Sequence, residues 1–342
     1  MKTIKTSYYI VPVVICLAIV IGLVYYYFLT DFAKDSETTS YIYIDDDDNI
    51  DSVFAKLEPY STEHSLAGLK ILARHWGYTE NIRTGRYAIT PDISTVNQFR
   101  NLKNGYQEAE MLTIPESRTM DRLAGILSRK LMLDSLILEQ SLTDNDFCGR
   151  WGYDTATIVC LFVPNTYQVY WNISLDGLME RMVKEHDHFW NGDRTAKATS
   201  LGLTPNEVCT VASIIDEETA NNEEKPMVAG MYLNRLNLGM PLQADPTIKF
   251  AMKRFELKRI YHDMLFYDSP YNTYRNVGLP PGPIKIASIK GIDAVLNRVD
   301  HEFVYMCAKE DFSGTHNFAK TYSEHLKNAA RYSKALNERG IK

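Results

Sequence analysis

From Ser7 to Thr30 the chain carries no charged residue, and Ile10 to Phe28 is almost wholly apolar. A stretch of that length crosses the ~30 Å hydrocarbon core of a bilayer as a single helix. Lys2 and Lys5 precede it, while Asp31 and Asp35 follow with only Lys34 between them. The positive-inside rule then puts the N-terminus in the cytoplasm and the rest of the chain outside. Tyr8 and Tyr9 at one end, and Tyr25, Tyr26 and Tyr27 at the other, suit the two interfaces as aromatic anchors. The competing reading is a cleaved signal peptide. The span is long for one, and no clear small-x-small cleavage site follows, which favours an uncleaved anchor.

The remaining chain has room for two ordinary domains in a total of 342 residues. Charged residues make up 23% and hydrophobic residues 45%, a globular composition. A net charge of -6 argues against a nucleic-acid partner, which calls for a basic face. Cys148, Cys160, Cys209 and Cys307 follow Cys16 of the span without a CxxC or a Cys/His metal spacing. A Cys148–Cys160 disulfide is open to an oxidising compartment, whereas Cys209 reads as a small core residue. His186-Asp187-His188 faces several ways on a helix and reads as surface. The run Asp45 to Asp48 lacks the alternating spacing of a calcium loop and reads as a solvated turn or helix start.

Periodicity divides the chain further. Thr39 to Ile44 and Gly85 to Ile89 read as strands, and Ile50 to Leu57, Leu66 to His75 and Ser94 to Leu102 as helices. With a strand at Glu108 to Ile114 they form a compact α+β module. We therefore expect an anchor at 1–30, this module at 31–115 and a larger α+β domain at 116–342. In the latter, Thr119 to about Asn145 reads as interrupted helix, and residues 158–170 as a buried strand leading into a turn. Ser174 to Trp190 and Glu224 to Leu238 read as amphipathic helices. Loops rich in Pro and Gly follow at Asp245-Pro246, Tyr271 to Thr273 and Gly278 to Pro283. Glu302 to Ala308 is strand-like, and a polar helix starts at Thr321.

One helix carries the chemistry. Thr204-Pro205-Asn206-Glu207 is a capping box with proline at the first helical position. Val208, Val211 and Ile215 then fall on one face, and the next step of that stripe is Glu218. Asp216 and Glu217 point away, about 200° and 100° round the helix. Burial and the negative end of the helix dipole both favour the neutral acid, so the pKa of Glu218 is expected to rise. That is what a general acid needs near neutral pH. A solvated acidic helix end is the plainer alternative for this segment alone.

Ala212-Ser213-Ile214-Ile215-x-x-Glu218-Thr219, Val228 to Leu236 and Gly239 to Thr247 together resemble the endolytic murein transglycosylase (YceG-like) family. Tyr271 to Tyr274, Gly278 to Ile284 and His316-Asn317-Phe318 continue the resemblance in the same order. Thr84 to Tyr87 is similar to that family's LysM-like segment, and Phe162 to Tyr167 to its "FPDTY" element. The resemblance implies a lyase that cuts peptidoglycan glycan strands between N-acetylmuramic acid and N-acetylglucosamine, leaving 1,6-anhydro ends. It implies Glu218 as the catalytic acid and base, with no metal and no cofactor. It also implies a bacterial inner-membrane protein with its catalytic part periplasmic, partnered with peptidoglycan synthases (penicillin-binding proteins) and limiting strand elongation. Glu224, Asn234, Gln243, Asp245, Thr247, Tyr271, Asn272, Thr273, Tyr274 and His316 are the candidates for substrate binding. For Asp245 a helix-capping role stands beside the active-site one, for Asn234 with Arg235 a buried structural hydrogen-bond pair beside substrate contact, for Glu224 a role behind the contact residues, for Tyr271 to Tyr274 an ordered polar loop, and for His316 a plain loop position. Asp216, Lys225 and the segment from Ile284 to Asn297 depart from the family pattern. A hydrolysing muramidase using Asp245 as second carboxylate, and a non-catalytic glycan-binding scaffold, are the alternatives.

Overall fold

A computed structural model describes residues 3–35, 37–257 and 259–340. Lys2 lies outside the described residues, as do the side chains of Lys5, Tyr8 and Tyr9. The chain is α+β and divides into two compact units. The first comprises residues 1–112, 129–133 and 168–173, and the second 113–128, 134–167 and 174–342.

In the first unit, helix α1 (Thr3–Val24) continues through a wider turn at Tyr25–Leu29. Ile10–Leu29 is long and apolar enough to cross a membrane, and its side chains are exposed except at Tyr27 and Phe28, which are half-buried. The end of this helix is seated against its neighbour in the same unit. Tyr26 stacks on His64 with ring centres 4.1 Å apart, and a Cβ added at Gly68 would lie 2.1 Å from the Tyr27 carbonyl oxygen. Next come β1 (Ser40–Ile44), α2 (Ile50–Leu57), α3 (Glu63–His75), β2 (Gly85–Ile89) and α4 (Thr95–Asn104). β1 and β2 pair antiparallel, giving a βααβ order. Ile42 and Ile44 turn into a core with Leu57, Leu69, Tyr87 and Leu102, while Tyr41 and Tyr43 face out, the alternation expected of a half-buried strand. Asn49 caps α2, and the acidic run before it forms a turn whose Asp45 and Asp48 both pair with Lys56.

Strands β3 (Glu110–Thr113) and β4 (Thr166–Val169) follow β2 in chain order. The second unit holds α5 (Met120–Ser128), α6 (Ser135–Leu142), α7 (Asn145–Arg150), α8 (Leu175–Phe189), α9 (Gly192–Ser200) and α10 (Pro205–Glu218). After them come α11 (Lys225–Asn237), α12 (Asp245–Ala251), α13 (Ile289–Leu296), β5 (Tyr305–Ala308), β6 (His316–Ala319) and α14 (Tyr322–Glu338). α10 is the central element, packed by α11, α12 and α13. Its capping box is formed: Thr204 Oγ1 accepts the Glu207 amide, and Glu207 Oε2 accepts the Thr204 amide at 2.8 Å.

Several expectations fail here for identifiable reasons. The apolar run at Ile158–Leu161 is a 3₁₀ turn rather than a strand, and the strand begins where a turn was expected, at Thr166. Asp154 accepts from the amides of Ala156 and Thr157, which starts a helical turn that a buried apolar run fits as well as a strand does. α11 is buried almost all round rather than amphipathic. All five cysteines are free: the Cys148 thiol points to the Leu142 carbonyl, and Cys160 lies beside Cys209.

Candidate active site

The stripe on α10 packs as the spacing requires, with Val208, Val211 and Ile215 fully buried and Glu218 partly buried at the helix end. Burial pushes the Glu218 carboxyl up to about 7. A hydrogen bond from the Tyr232 hydroxyl to Oε1, at 2.8 Å, works against that rise. The Asp245 charge adds to it, and His316 and Lys249 oppose it. The outcome is an acid that is half protonated near neutrality.

Glu218 opens on a cleft of about 260 Å³ lined by Tyr232, Arg235, Gln243, Asp245, Tyr274 and His316, with Met231, Leu242 and residues 306–308 of β5 behind them. The segment between α11 and α12 brings two of these into place. Gly239 turns the chain with φ 64°, and Gln243 takes a left-handed φ of 53°, a strained conformation for a side-chain-bearing residue. The Gln243 amide donates to the Thr273 carbonyl at 3.0 Å, and its side-chain oxygen accepts from Arg235 at 3.3 Å. Asp245 begins α12 without capping it, and accepts the Tyr274 hydroxyl at 2.5 Å. Burial raises the pKa of Tyr274, so it stays a donor.

On the opposite side, Glu224 is buried and grips His316 twice. Its Oε1 accepts the His316 amide at 2.6 Å, and its Oε2 lies 2.9 Å from His316 Nδ1 and accepts from Thr219 Oγ1 at 3.2 Å. Glu224 thus aims His316 rather than facing the cleft itself. His316 is a strand residue paired with Ala308, not a loop histidine.

The other expected binding residues hold the walls. Asn234 is turned to the 301–303 backbone, donating to the His301 carbonyl at 2.6 Å and that of Phe303 at 3.0 Å. Thr247 and Thr273 are buried and 2.9 Å apart, and Thr273 Oγ1 also accepts the Ala244 amide. Asn272 is fully buried and donates to the Leu265 and Tyr267 carbonyls. The Tyr271 ring packs on Phe250 at 4.8 Å. Thr247, Tyr271, Asn272 and Thr273 brace the Gln243 and Tyr274 loops, and neither they nor Asn234 line the cleft.

Asp216 and Glu217 are not left in solvent. The Asp216 side chain is 2% exposed, pairs with Lys225 at 2.7 Å and accepts from the Ser288 amide and hydroxyl. A Cβ added at Gly291 would meet its carboxylate at 2.6 Å. Glu217 forms a two-point ion pair with Arg118 at 3.0 and 2.7 Å. The helix end that carries Glu218 is therefore pinned on two further sides. Tyr232 is the polar cleft residue to which the sequence gave no site role, whereas for Arg235 a buried structural hydrogen bond and a substrate contact were both open. Arg235 is buried, with its guanidinium bonded to the carbonyls of Val304, Pro241 and Leu242.

A partly buried acid titrating near neutrality, in a polar cleft with fixed hydrogen-bond donors, is an arrangement able to give and take a proton. Residues 42–331 match the model of the YceG-like family, and the chain belongs to that family. It is similar to an endolytic murein transglycosylase of Bacillus subtilis, 25% identical over 324 residues, with 90% of this chain and 88% of the relative covered. A Streptococcus pneumoniae protein of the same description is 26% identical, and there the chain spans 56% of the relative's length. A crystal structure of a YceG-like protein from Listeria monocytogenes aligns with a TM-score of 0.54 and 26% identity, covering 85% of this chain and 99% of that one.

Proposed function

We propose that this protein is a membrane-anchored endolytic peptidoglycan transglycosylase with Glu218 as its single proton-transfer group. The observation that carries the reading is a carboxyl pushed up to about 7 at the floor of a polar cleft, in a family whose relatives bear that name. The protonated Glu218 gives its proton to the glycosidic oxygen as the bond to muramyl C1 breaks through an oxocarbenium-like state. The resulting carboxylate takes the proton of the muramyl C6 hydroxyl while that oxygen bonds to C1. The acid is regenerated and no water is consumed. The nucleophile already belongs to the reacting ring, so no second carboxylate has to hold a water.

In this reading Asp245, held by Tyr274, supplies negative charge opposite the developing cation. Gln243 and His316 offer polar contacts to the sugars. The apolar helix is the anchor, with the catalytic unit extracytoplasmic. The βααβ order of the first unit supports a LysM-like module, and peptidoglycan synthases are the partners that the family resemblance suggests. The test is digestion of purified peptidoglycan by the full chain in detergent, beside Glu218→Gln, with the muramyl ends read by mass spectrometry. Anhydro ends from the parent and none from the variant are expected. Reducing ends would mean a hydrolase and direct attention to Asp245.

A further inference from the structure

Tyr232 has no place in the mechanism above, yet it touches the acid directly. Its hydroxyl donates to Glu218 Oε1 at 2.8 Å, and among the described residues no group donates to Oε2. The phenol is 2% exposed on α11 and cannot swing away. Three residues on, Arg235 ties the same helix to the carbonyls of Val304, Pro241 and Leu242. Burial raises the pKa of Tyr232 far above its ordinary value, so the hydroxyl remains a donor throughout the accessible pH range. A carboxyl whose Oε1 permanently accepts a hydrogen bond carries its own proton on Oε2.

A single acid that acts twice has a geometric problem. If the proton left from one oxygen and returned to the other, it would have to be moved back before each new turnover. We infer that Tyr232 is a positioning residue: its hydroxyl holds Oε1 so that Oε2 alone gives the proton to the leaving oxygen and takes the next one from the C6 hydroxyl. This role rests on the transglycosylase reading, whereas the hold on Oε1 can be tested without any substrate.

The other groups facing the carboxyl are Asp245 and Lys249 on α12, Tyr274 in the loop beyond it, His316 on β6 and Arg235 on α11. Among the described residues none of them hydrogen-bonds Glu218, so Tyr232→Phe removes one defined bond and little volume. The full chain in detergent is titrated by infrared spectroscopy, with the Glu218 carboxyl assigned by difference from Glu218→Gln. The parent midpoint is expected near 7, and that of Tyr232→Phe higher, because the lost bond favoured the carboxylate. Tyr232→3-fluorotyrosine, a stronger donor, is expected to move it the other way. With glycan substrate, Tyr232→Phe is expected to lower kcat by about tenfold at unchanged KM and to displace the basic limb of the pH profile upward.

A midpoint that does not move, whatever the activity, overturns the hold on Oε1. A moved midpoint with parental kcat overturns the positioning role. A parent enzyme that yields no anhydro ends sinks the reaction reading, and the titration still decides whether Tyr232 governs the acid.

Discussion

Glu218→Gln is expected to stabilise the protein above neutral pH while removing its activity. A carboxyl with a raised pKa binds its proton more tightly in the folded chain than in the unfolded one. The contribution of Glu218 to stability is therefore fully present below about 4.5, falls as pH climbs to about 7, and is absent beyond that. At about 1.4 kcal/mol per pH unit the interval amounts to about 3 kcal/mol. The carboxyl is partly open to the cleft, so about 2–3 kcal/mol is the fitting figure. Glutamine has the same shape, can still accept from Tyr232 and does not ionise. At about 2–4 °C per kcal/mol for a unit of this size, the variant is expected to melt roughly 5–10 °C above the parent at pH 8.5. Near pH 4.5 the difference is expected to vanish. Differential scanning calorimetry of both proteins across that range reads the effect. A difference that is absent, or the same at every pH, would refute a buried, proton-holding Glu218.

Three further perturbations probe the frame around the acid. Lys225→Met leaves the Asp216 carboxylate buried with only Ser288 for company, and is expected to cost about 3–5 kcal/mol. Adding Asp216→Asn is expected to restore part of that in a double-mutant cycle of thermal melts. Gly291→Ala drives a methyl group into the same carboxylate, and is expected to lower both the melting temperature and kcat. Glu224→Gln loosens the hold on the His316 amide and ring, and is expected to raise KM for glycan substrates with a modest change in melting temperature.

The start and the buried face of α10 were legible because both are local: a capping box spans four residues, and the apolar stripe repeats at helical spacing. The raised acid followed from that stripe. The partners of Asp216 and Glu217 were not legible, since Ser288, Arg118 and Lys285 come from distant parts of the chain. Tyr232 lies in a helix buried almost all round, where periodicity does not say which face meets the cleft. α9 is short and polar, and β6 has four residues, too few for a pattern to stand out. Asn272, Thr247 and Thr273 look like sugar ligands by residue type. Their burial and backbone bonds, which only the fold reveals, make them supports for the loops that do face the cleft.

The most direct test of the central claim, one acid and an internal nucleophile, is digestion of peptidoglycan by the full chain in ¹⁸O-labelled water. The C6 oxygen of the sugar closes the ring in the proposed reaction, so the new muramyl ends are expected to be anhydro and free of ¹⁸O. Reducing ends carrying ¹⁸O at C1 would show that water is the nucleophile and contradict the account.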